Sequence, residues 1–290
     1  MKPTQNLSRN TLAVVDTLAG IIERESIAHS CSSHDGCLNF SDPNMVTADD
    51  RLKLVDWCYR FVDHCKLSRE TVASAMEMVE RFLSVPCNAD DDVAQLAKEA
   101  LQDHFKFQLL TITALYTSIK LNERVVISSD LFVDMCDQAY SIEEIEGMER
   151  TLLKGLSWRC HAPTAHEIGL SILSLLLPYA DIPEAIWGTV MDEMKYLIEL
   201  SVRDYYFSTE RTSTVALAAI LKAISDTCNK ELQELFGTYL LVIMECFDFE
   251  NGLILFEVRS RFQTLTKLES AGAAVLQEDE DVVLMKVKQV

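Results

Sequence analysis

The chain has 290 residues, of which about half are apolar and only nine are glycine and six proline. This composition predicts a mostly helical globular protein with one large domain or two domains of ordinary size. Forty-five acidic residues against 26 basic ones give a formal net charge of −19. That charge, with no clustered basic patch to offset it, argues against a nucleic-acid partner because a phosphate backbone would be repelled.

Cysteine usage and hydropathy indicate a compartment for the chain. The nine cysteines are scattered, mostly within apolar runs where a reduced cysteine serves as a small core residue. The first ten residues contain no apolar stretch of signal-peptide length, and the longest apolar run, "IGLSILSLLLPYA", is too short to span a bilayer. We therefore expect a nuclear or cytoplasmic protein with no membrane partner.

The apolar spacing and the helix-start signals predict an all-α fold. Several starts have the Ser/Thr-x-x-acid form that satisfies the free amides of a first turn, as at Thr47, Ser141 and Thr164. An N-terminal helix at 8–27 precedes two sets of five, predicted at 48–65, 68–84, 93–121, 129–139 and 142–157, and then at 165–177, 183–205, 210–227, 230–246 and 250–267. Two similar sets suggest an architectural duplication. Residues 28–46 read as a loop, and 268–290 as an acidic mobile tail.

Motifs for catalysis are absent from the sequence. It has no GxGxxG, no GxSxG and no phosphate-binding P-loop, so we expect no enzyme activity and no cofactor. The best metal candidates are four residues within nine positions of the loop, whose spacing is tighter than that of a usual zinc finger; they are His29, Cys31, His34 and Cys37. We therefore expect no bound metal.

Two charged residues fall where their helices should be apolar. Glu149 lies on the apolar stripe of its helix, seven residues after Ile142. Lys120 directly follows the stripe that ends at Ile119. Either could be ordinary, since a cation complements a helix C-terminus and charged side chains often reach outward from a stripe edge.

Four stretches occur in an order and character that resemble the cyclin box of the cyclin family: "RLKLVDW", "MVERFLS", "QLLTITALYTSIKLNE" and "GMERTLLKGLSWRCHAPT". The resemblance is close over 50–164 and extends faintly through "ERTSTVALAAILKAI". It implies tandem five-helix cyclin-box domains with an extra N-terminal helix. The implied divisions are 1–47 for the N-terminal helix and loop, 48–162 for the first, kinase-binding box, 163–267 for the second box and 268–290 for the tail. The first box is closer to D-type or mitotic-type cyclins than to transcriptional ones.

The resemblance also implies a function. A cyclin of this type is a non-catalytic subunit that binds and activates a cyclin-dependent Ser/Thr kinase and helps to select substrates in the cell cycle. In the family, a Lys of the third box helix and a Glu of the fifth reach the kinase together, and these positions match Lys120 and Glu149. Trp158, where the family usually has Phe, is expected either to add apolar contact beside them or to be a core aromatic.

The family pattern implies a structural role for Arg51. In the family, the Arg of the first box helix pairs with an acidic residue of the second, and that acidic position is Glu80 here. A buried pair of this kind fixes how two helices meet. Asp56 also matches the family, although the sequence does not identify its partner.

A substrate-docking patch is expected to be degenerate. Cell-cycle cyclins often carry a shallow apolar patch that docks Arg-x-Leu segments of substrates or inhibitors, and Leu54, Trp57 and Gln108 match it. The neighbouring Met, Ile and acidic positions of the family are instead Asp50, Lys53 and Arg60. The patch is thus either weakened or retuned, with acidic motifs as one retuned ligand, or it is a plain solvated face.

Two other classes of function share this fold. A transcription-factor-like scaffold would bind DNA, which the absence of clustered basic residues disfavours. An adaptor that uses the cyclin fold without a kinase is harder to distinguish by sequence.

Overall fold

The protein is almost entirely helical. A computed structural model describes residues 9–30, 45–85, 91–176, 182–246 and 252–273. In these ranges the chain forms no strand, a short 3-10 helix at Tyr205–Thr209 and twelve α-helices, which are α1 (Arg9–Ser30), α2 (Ala48–His64), α3 (Glu70–Leu83), α4 (Asp91–Gln102), α5 (His104–Asn122), α6 (Ser129–Met135), α7 (Ile142–Gly155), α8 (Ala165–Leu176), α9 (Glu184–Arg203), α10 (Thr212–Asp226), α11 (Lys230–Cys246) and α12 (Gly252–Ala273). The predicted all-α class is confirmed. None of the described helices is both long and apolar enough to cross a bilayer.

The first apolar core surrounds α5. Every residue from 110 to 119 is buried, so this helix has no solvent-facing stripe over two and a half turns. Helices α2, α3, α4 and α7 pack around it, and the fully buried Phe82, Phe107 and Phe132 fill the space between them. The result is a bundle with one helix that is internal over residues 110–119 and reaches the surface at both ends.

The second core repeats this arrangement around α10. Residues 213–220 are all buried, and α8, α9 and α12 pack against them. The N-terminal helix α1 belongs to this core rather than to the first, because its Leu18 and Ile21 are buried there. Glu25 of α1, 2% exposed, accepts a 2.6 Å hydrogen bond from the backbone N–H of Ser213 and thereby caps α10 from outside.

The helix predicted at 93–121 is wrong as a single element, because the structure breaks it at Asp103. That residue has extended backbone angles, and its carboxylate accepts hydrogen bonds from the N–H groups of Phe105 and Lys106, which makes it the N-cap of α5. The preceding segment, α4, lies on the body of the first domain, with Val93 and Ala97 buried in the first core.

Two other helices end at residues different from those predicted. Helix α6 ends at Met135, four residues earlier than expected, where Cys136, Asp137 and Gln138 turn the chain. Helix α12 continues to Ala273, so the first six residues of the predicted tail are helical. The rest of that tail and most of the predicted loop at 28–46 lie outside the described residues.

The two cores meet along a polar seam between α2 and α9. Arg51 Nε lies 2.6 Å from Glu80 Oε1, and the same guanidinium donates through Nη1 to the backbone carbonyl of Val202 at 2.8 Å. Its side chain is 3% exposed. Arg51 therefore joins α2 to α3 and also ties the first domain to the second. Asp56, one turn and a half later, accepts a 2.7 Å bond from Arg203 Nε.

Replacing Arg51 by Ala should destabilise the fold. The change leaves the Glu80 carboxylate and the Val202 carbonyl without their donor, and loss of one partner of such a pair costs about 3 kcal/mol. Chemical denaturation followed by circular dichroism measures the free energy of unfolding.

The matched control is Arg60→Ala on the exposed face of the same helix. That change should alter the free energy of unfolding by less than about 0.5 kcal/mol. Equal stability of the two variants would contradict the structural role of Arg51.

Candidate functional site

The two charged residues that stood out on their helices form an ion pair with each other. Lys120 lies in the last turn of α5, and its Nζ contacts Glu149 Oε1 on α7. The Lys120 side chain is 39% exposed, whereas that of Glu149 is 15% exposed. The pair thus sits at the edge of the core, with its cation facing outward.

Neighbouring groups on α5 hold both partners of this pair. Lys120 Nζ lies 4.4 Å from the ring centroid of Tyr116, within the range of a cation–π contact. Thr117 Oγ1 donates to Glu149 Oε1 at 2.9 Å. Because α5 is buried on all sides before Lys120, these contacts rest on a rigid support.

The position of Glu149 depends on α7, which is held in place by contacts at both of its ends. Its start is a capping box in which Ser141 and Glu144 satisfy each other's backbone N–H groups. At its end, Gly155 lies against Phe82, and a Cβ at this glycine would sit 2.7 Å from the Phe82 ring. The absence of a side chain at position 155 lets α7 approach α3 closely.

Trp158 is a surface residue rather than a core aromatic. Its side chain is 71% exposed, and the residue has a φ of 61°, directly after Ser157 with a φ of 50°. Two consecutive non-glycine residues in the left-handed region carry strain of about 1–2 kcal/mol each. The turn is closed by a 2.9 Å hydrogen bond from the Trp158 N–H to the carbonyl of Leu153. The combination of a strained turn and a solvent-exposed aromatic ring makes Trp158 a candidate contact residue.

Sequence reasoning missed an apolar rim that follows Lys120. Leu121 is 42% exposed, Val125 57% and Val126 92%. The signal was available, since three large apolar residues fall within six positions after Lys120. Along the chain these residues follow Lys120, and Trp158 follows Glu149 by nine residues.

The three residues of the expected docking patch lie on α2 and α5. Leu54 and Trp57 are partly buried and pack on the first core. Gln108 Oε1 lies 3.0 Å from the Tyr140 hydroxyl, which can also donate to the carbonyl of Phe105 at 2.9 Å. Burial, with Glu144 and Asp103 nearby, raises the pKa of Tyr140 to about 12, so the hydroxyl keeps its proton. The side-chain carbonyl of Gln108 and the backbone carbonyl of Phe105 therefore share one hydroxyl proton.

The charged residues around this patch differ in how many hydrogen bonds and ion pairs they form within the protein. Asp50 forms a capping box with Thr47, and although burial opposes it, hydrogen bonding from Thr47 lowers the Asp50 pKa. Lys53 Nζ lies 2.9 Å from Asp49 and 3.8 Å from Asp50. Arg60 is exposed. Asp50 thus stabilises the N-terminus of α2, while Arg60 faces solvent.

Metal binding finds no support in the part of the chain that the structure describes. There, no group of three or more His, Cys, Asp or Glu residues is placed to hold an ion. Cys31, His34 and Cys37 of the candidate cluster, and the side chain of His29, lie outside the described residues.

Comparison with solved structures identifies the fold. A viral cyclin from herpesvirus saimiri superimposes with a TM-score of 0.60 and 11% identity, over 85% of this chain and 95% of the viral one. The chain thus has the cyclin fold of tandem helical domains.

Comparison of sequences identifies the family. A family profile described as "Cyclin, N-terminal domain" matches residues 17–161. Among curated relatives, "G2/mitotic-specific cyclin-B3" of Gallus gallus is 26% identical over 180 residues, which are 62% of this chain and 39% of that protein. "G2/mitotic-specific cyclin C13-1" of Daucus carota is 30% identical over 55% of this chain and 42% of its own length. "Cyclin-O protein A" of Xenopus laevis is 26% identical over 69% and 52%. The chain belongs to the cyclin family, and it spans about half or less of the length of these relatives.

Proposed function

We propose that this protein is a regulatory subunit that binds and activates a cyclin-dependent Ser/Thr kinase in the nucleus or cytoplasm. The observation that carries the proposal is the pairing of Lys120 with Glu149 at the edge of the first core. These are the two positions that, in the family pattern, reach the kinase together. The exposed Trp158 and the apolar rim after Lys120 supply desolvating contact around them.

The proposed mechanism is a shift in the population of kinase conformations. The cyclin surface binds the inward position of the mobile regulatory helix of the kinase more tightly than the outward one. That inward position pairs the kinase's own Lys and Glu and completes its phosphate site. In this role the protein contributes a rigid binding surface and no reacting group.

An adaptor that uses the cyclin fold without a kinase is the alternative. The surface features favour a kinase partner because a charge pair and an exposed aromatic ring occupy the family's kinase-facing positions. Affinity capture from cell extract separates the two functions. Stoichiometric recovery of a Ser/Thr kinase supports the proposal, and recovery of other proteins without any kinase supports the adaptor.

A double charge exchange, Lys120→Glu with Glu149→Lys, tests the kinase-binding role. The exchanged residues can still pair with each other, so the fold should survive and the circular dichroism should stay helical. Their charges towards the kinase are inverted, and like charges brought together cost several kcal/mol, so affinity should fall by at least about a hundredfold. Calorimetric titration with the captured kinase provides the measurement.

The same exchange on an exposed pair of α7 is the matched control. Glu146 and Arg150 lie 3.5 Å apart, one turn from one another on that helix, with side chains 51% and 71% exposed. Exchanging them should leave kinase affinity unchanged. If exchanging Lys120 and Glu149 also leaves the kinase affinity unchanged, the proposed kinase-binding role of this surface is refuted.

Trp158→Ala should weaken kinase binding without weakening the fold. The ring is exposed, so its removal costs little packing, whereas an aromatic anchor at an interface centre contributes 2 kcal/mol or more, equivalent to about 30-fold in affinity. Phe256→Ala on α12, at a ring 69% exposed, is the control and should leave the affinity as it was. Similar affinities for both variants would place Trp158 outside the interface.

We also propose that the docking patch is retuned towards acidic segments. The Gln108 carbonyl lies within hydrogen-bond distance of the Tyr140 hydroxyl, and Arg60 is exposed where the family has an acidic residue. An Arg-x-Leu peptide would therefore lose a favourable charge contact and meet a like charge. Leu54 and Trp57 keep the apolar floor of the patch.

Fluorescence anisotropy with two labelled peptides tests this retuning. The peptides differ only in carrying Arg or Glu at the first motif position. The Glu peptide should bind more tightly, and Arg60→Glu should reverse the order. Tight binding of the Arg-x-Leu peptide to the unaltered protein would contradict the proposal.

A further inference from the structure

A buried threonine lies directly behind the exposed ion pair. Thr117 is 2% exposed, and its Oγ1 donates to Glu149 Oε1 at 2.9 Å across the packing of α5 on α7. Glu149 Oε1 is the atom that also contacts Lys120 Nζ. The carboxylate is therefore held from the core side by a hydroxyl and from the solvent side by an ammonium group.

The Thr117 hydroxyl has one proton and two acceptors. Besides Glu149, the carbonyl of Thr113 lies 2.9 Å from Oγ1, in the usual geometry of a helical threonine. A charged carboxylate is the stronger acceptor of the two. The Thr117 hydroxyl therefore donates its proton mainly to Glu149. This hydrogen bond orients the Glu149 carboxylate.

We propose that Thr117 is a positioning residue that fixes the Glu149 carboxylate for kinase binding, an inference that rests on the function proposed above. A carboxylate offers about four acceptor positions, of which Lys120 and Thr117 take two. The remaining positions are available to a partner. A carboxylate already held in one orientation loses less conformational freedom when the partner binds.

The resemblance to the cyclin box implies no role for Thr117. Within the stretch "QLLTITALYTSIKLNE" it implies a kinase contact for Lys120. Within the described residues, α5 also provides a matched comparison, because the hydroxyl of Thr113 is fully buried and makes no hydrogen bond. The two threonines stand one turn apart on one helix, and only Thr117 touches the ion pair.

Thr117→Val removes the hydroxyl and keeps the side-chain shape. Kinase affinity should fall about 3- to 10-fold, mainly through faster dissociation, because Glu149 is then held from one side only. Thr117→Ser keeps the hydroxyl and should restore most of the affinity. Thr113→Val, the control, should leave affinity unchanged. Surface plasmon resonance with the kinase captured by the unaltered protein gives both rate constants.

A double-mutant cycle with Glu149→Gln separates positioning from a general effect on the fold. If Thr117 acts through the Glu149 carboxylate, Thr117→Val should reduce affinity much less in the Glu149→Gln background. An equal reduction in both backgrounds would overturn the proposal, as would unchanged or increased affinity of Thr117→Val alone. Unchanged affinity of Glu149→Gln would overturn the kinase-binding role itself, so the two failures are distinguishable.

Discussion

The architecture of the first domain depends on the burial of residues 110–119 in the middle of α5. A helix enclosed by four others cannot shift without opening the core, so the residue at its C-terminal end emerges at a fixed place. Lys120 is that residue, and Glu149 meets it because α7 packs on the same helix. The close approach of Gly155 to Phe82 and the capping box at Ser141 fix α7 in turn. The ion pair is thus positioned by the core and not by a loop.

Polar contacts within and between the domains add orientation to this apolar framework. Arg51 links Glu80 with the carbonyl of Val202, and Glu25 caps α10 from the N-terminal helix. Contacts of this kind contribute less to stability than apolar burial does, but they admit few alternative geometries. The bonds from Arg51 to Val202 and from Arg203 to Asp56 cross the α2–α9 seam, so the second domain helps to hold the helix that carries the first box's structural arginine.

The sequence predicted the helical class and most of the elements because apolar spacing and capping motifs are local signals. It also predicted Lys120 and Glu149 as candidates, through their conflict with the apolar stripes and through the family pattern. The break at Asp103 was missed because α4 and α5 share one continuous helical spacing, and a single carboxylate bonded to two backbone amides decides between one helix and two. The partner of Asp56, the exposure of Trp158 and the hydrogen bond of Thr117 depend on packing between distant segments. Such contacts leave no local trace in one sequence.

The surface around Lys120 and Glu149 is proposed to activate a kinase. Titrating the unaltered protein into an isolated cyclin-dependent Ser/Thr kinase, while following phosphorylation of a generic peptide, tests that claim most directly. The account predicts that activity rises and saturates at one molecule of this protein per kinase, as expected for a population shift. The kinase for this titration is one that this protein recovers from cell extract. If its activity stays at the basal value throughout the titration, the proposed activation is contradicted.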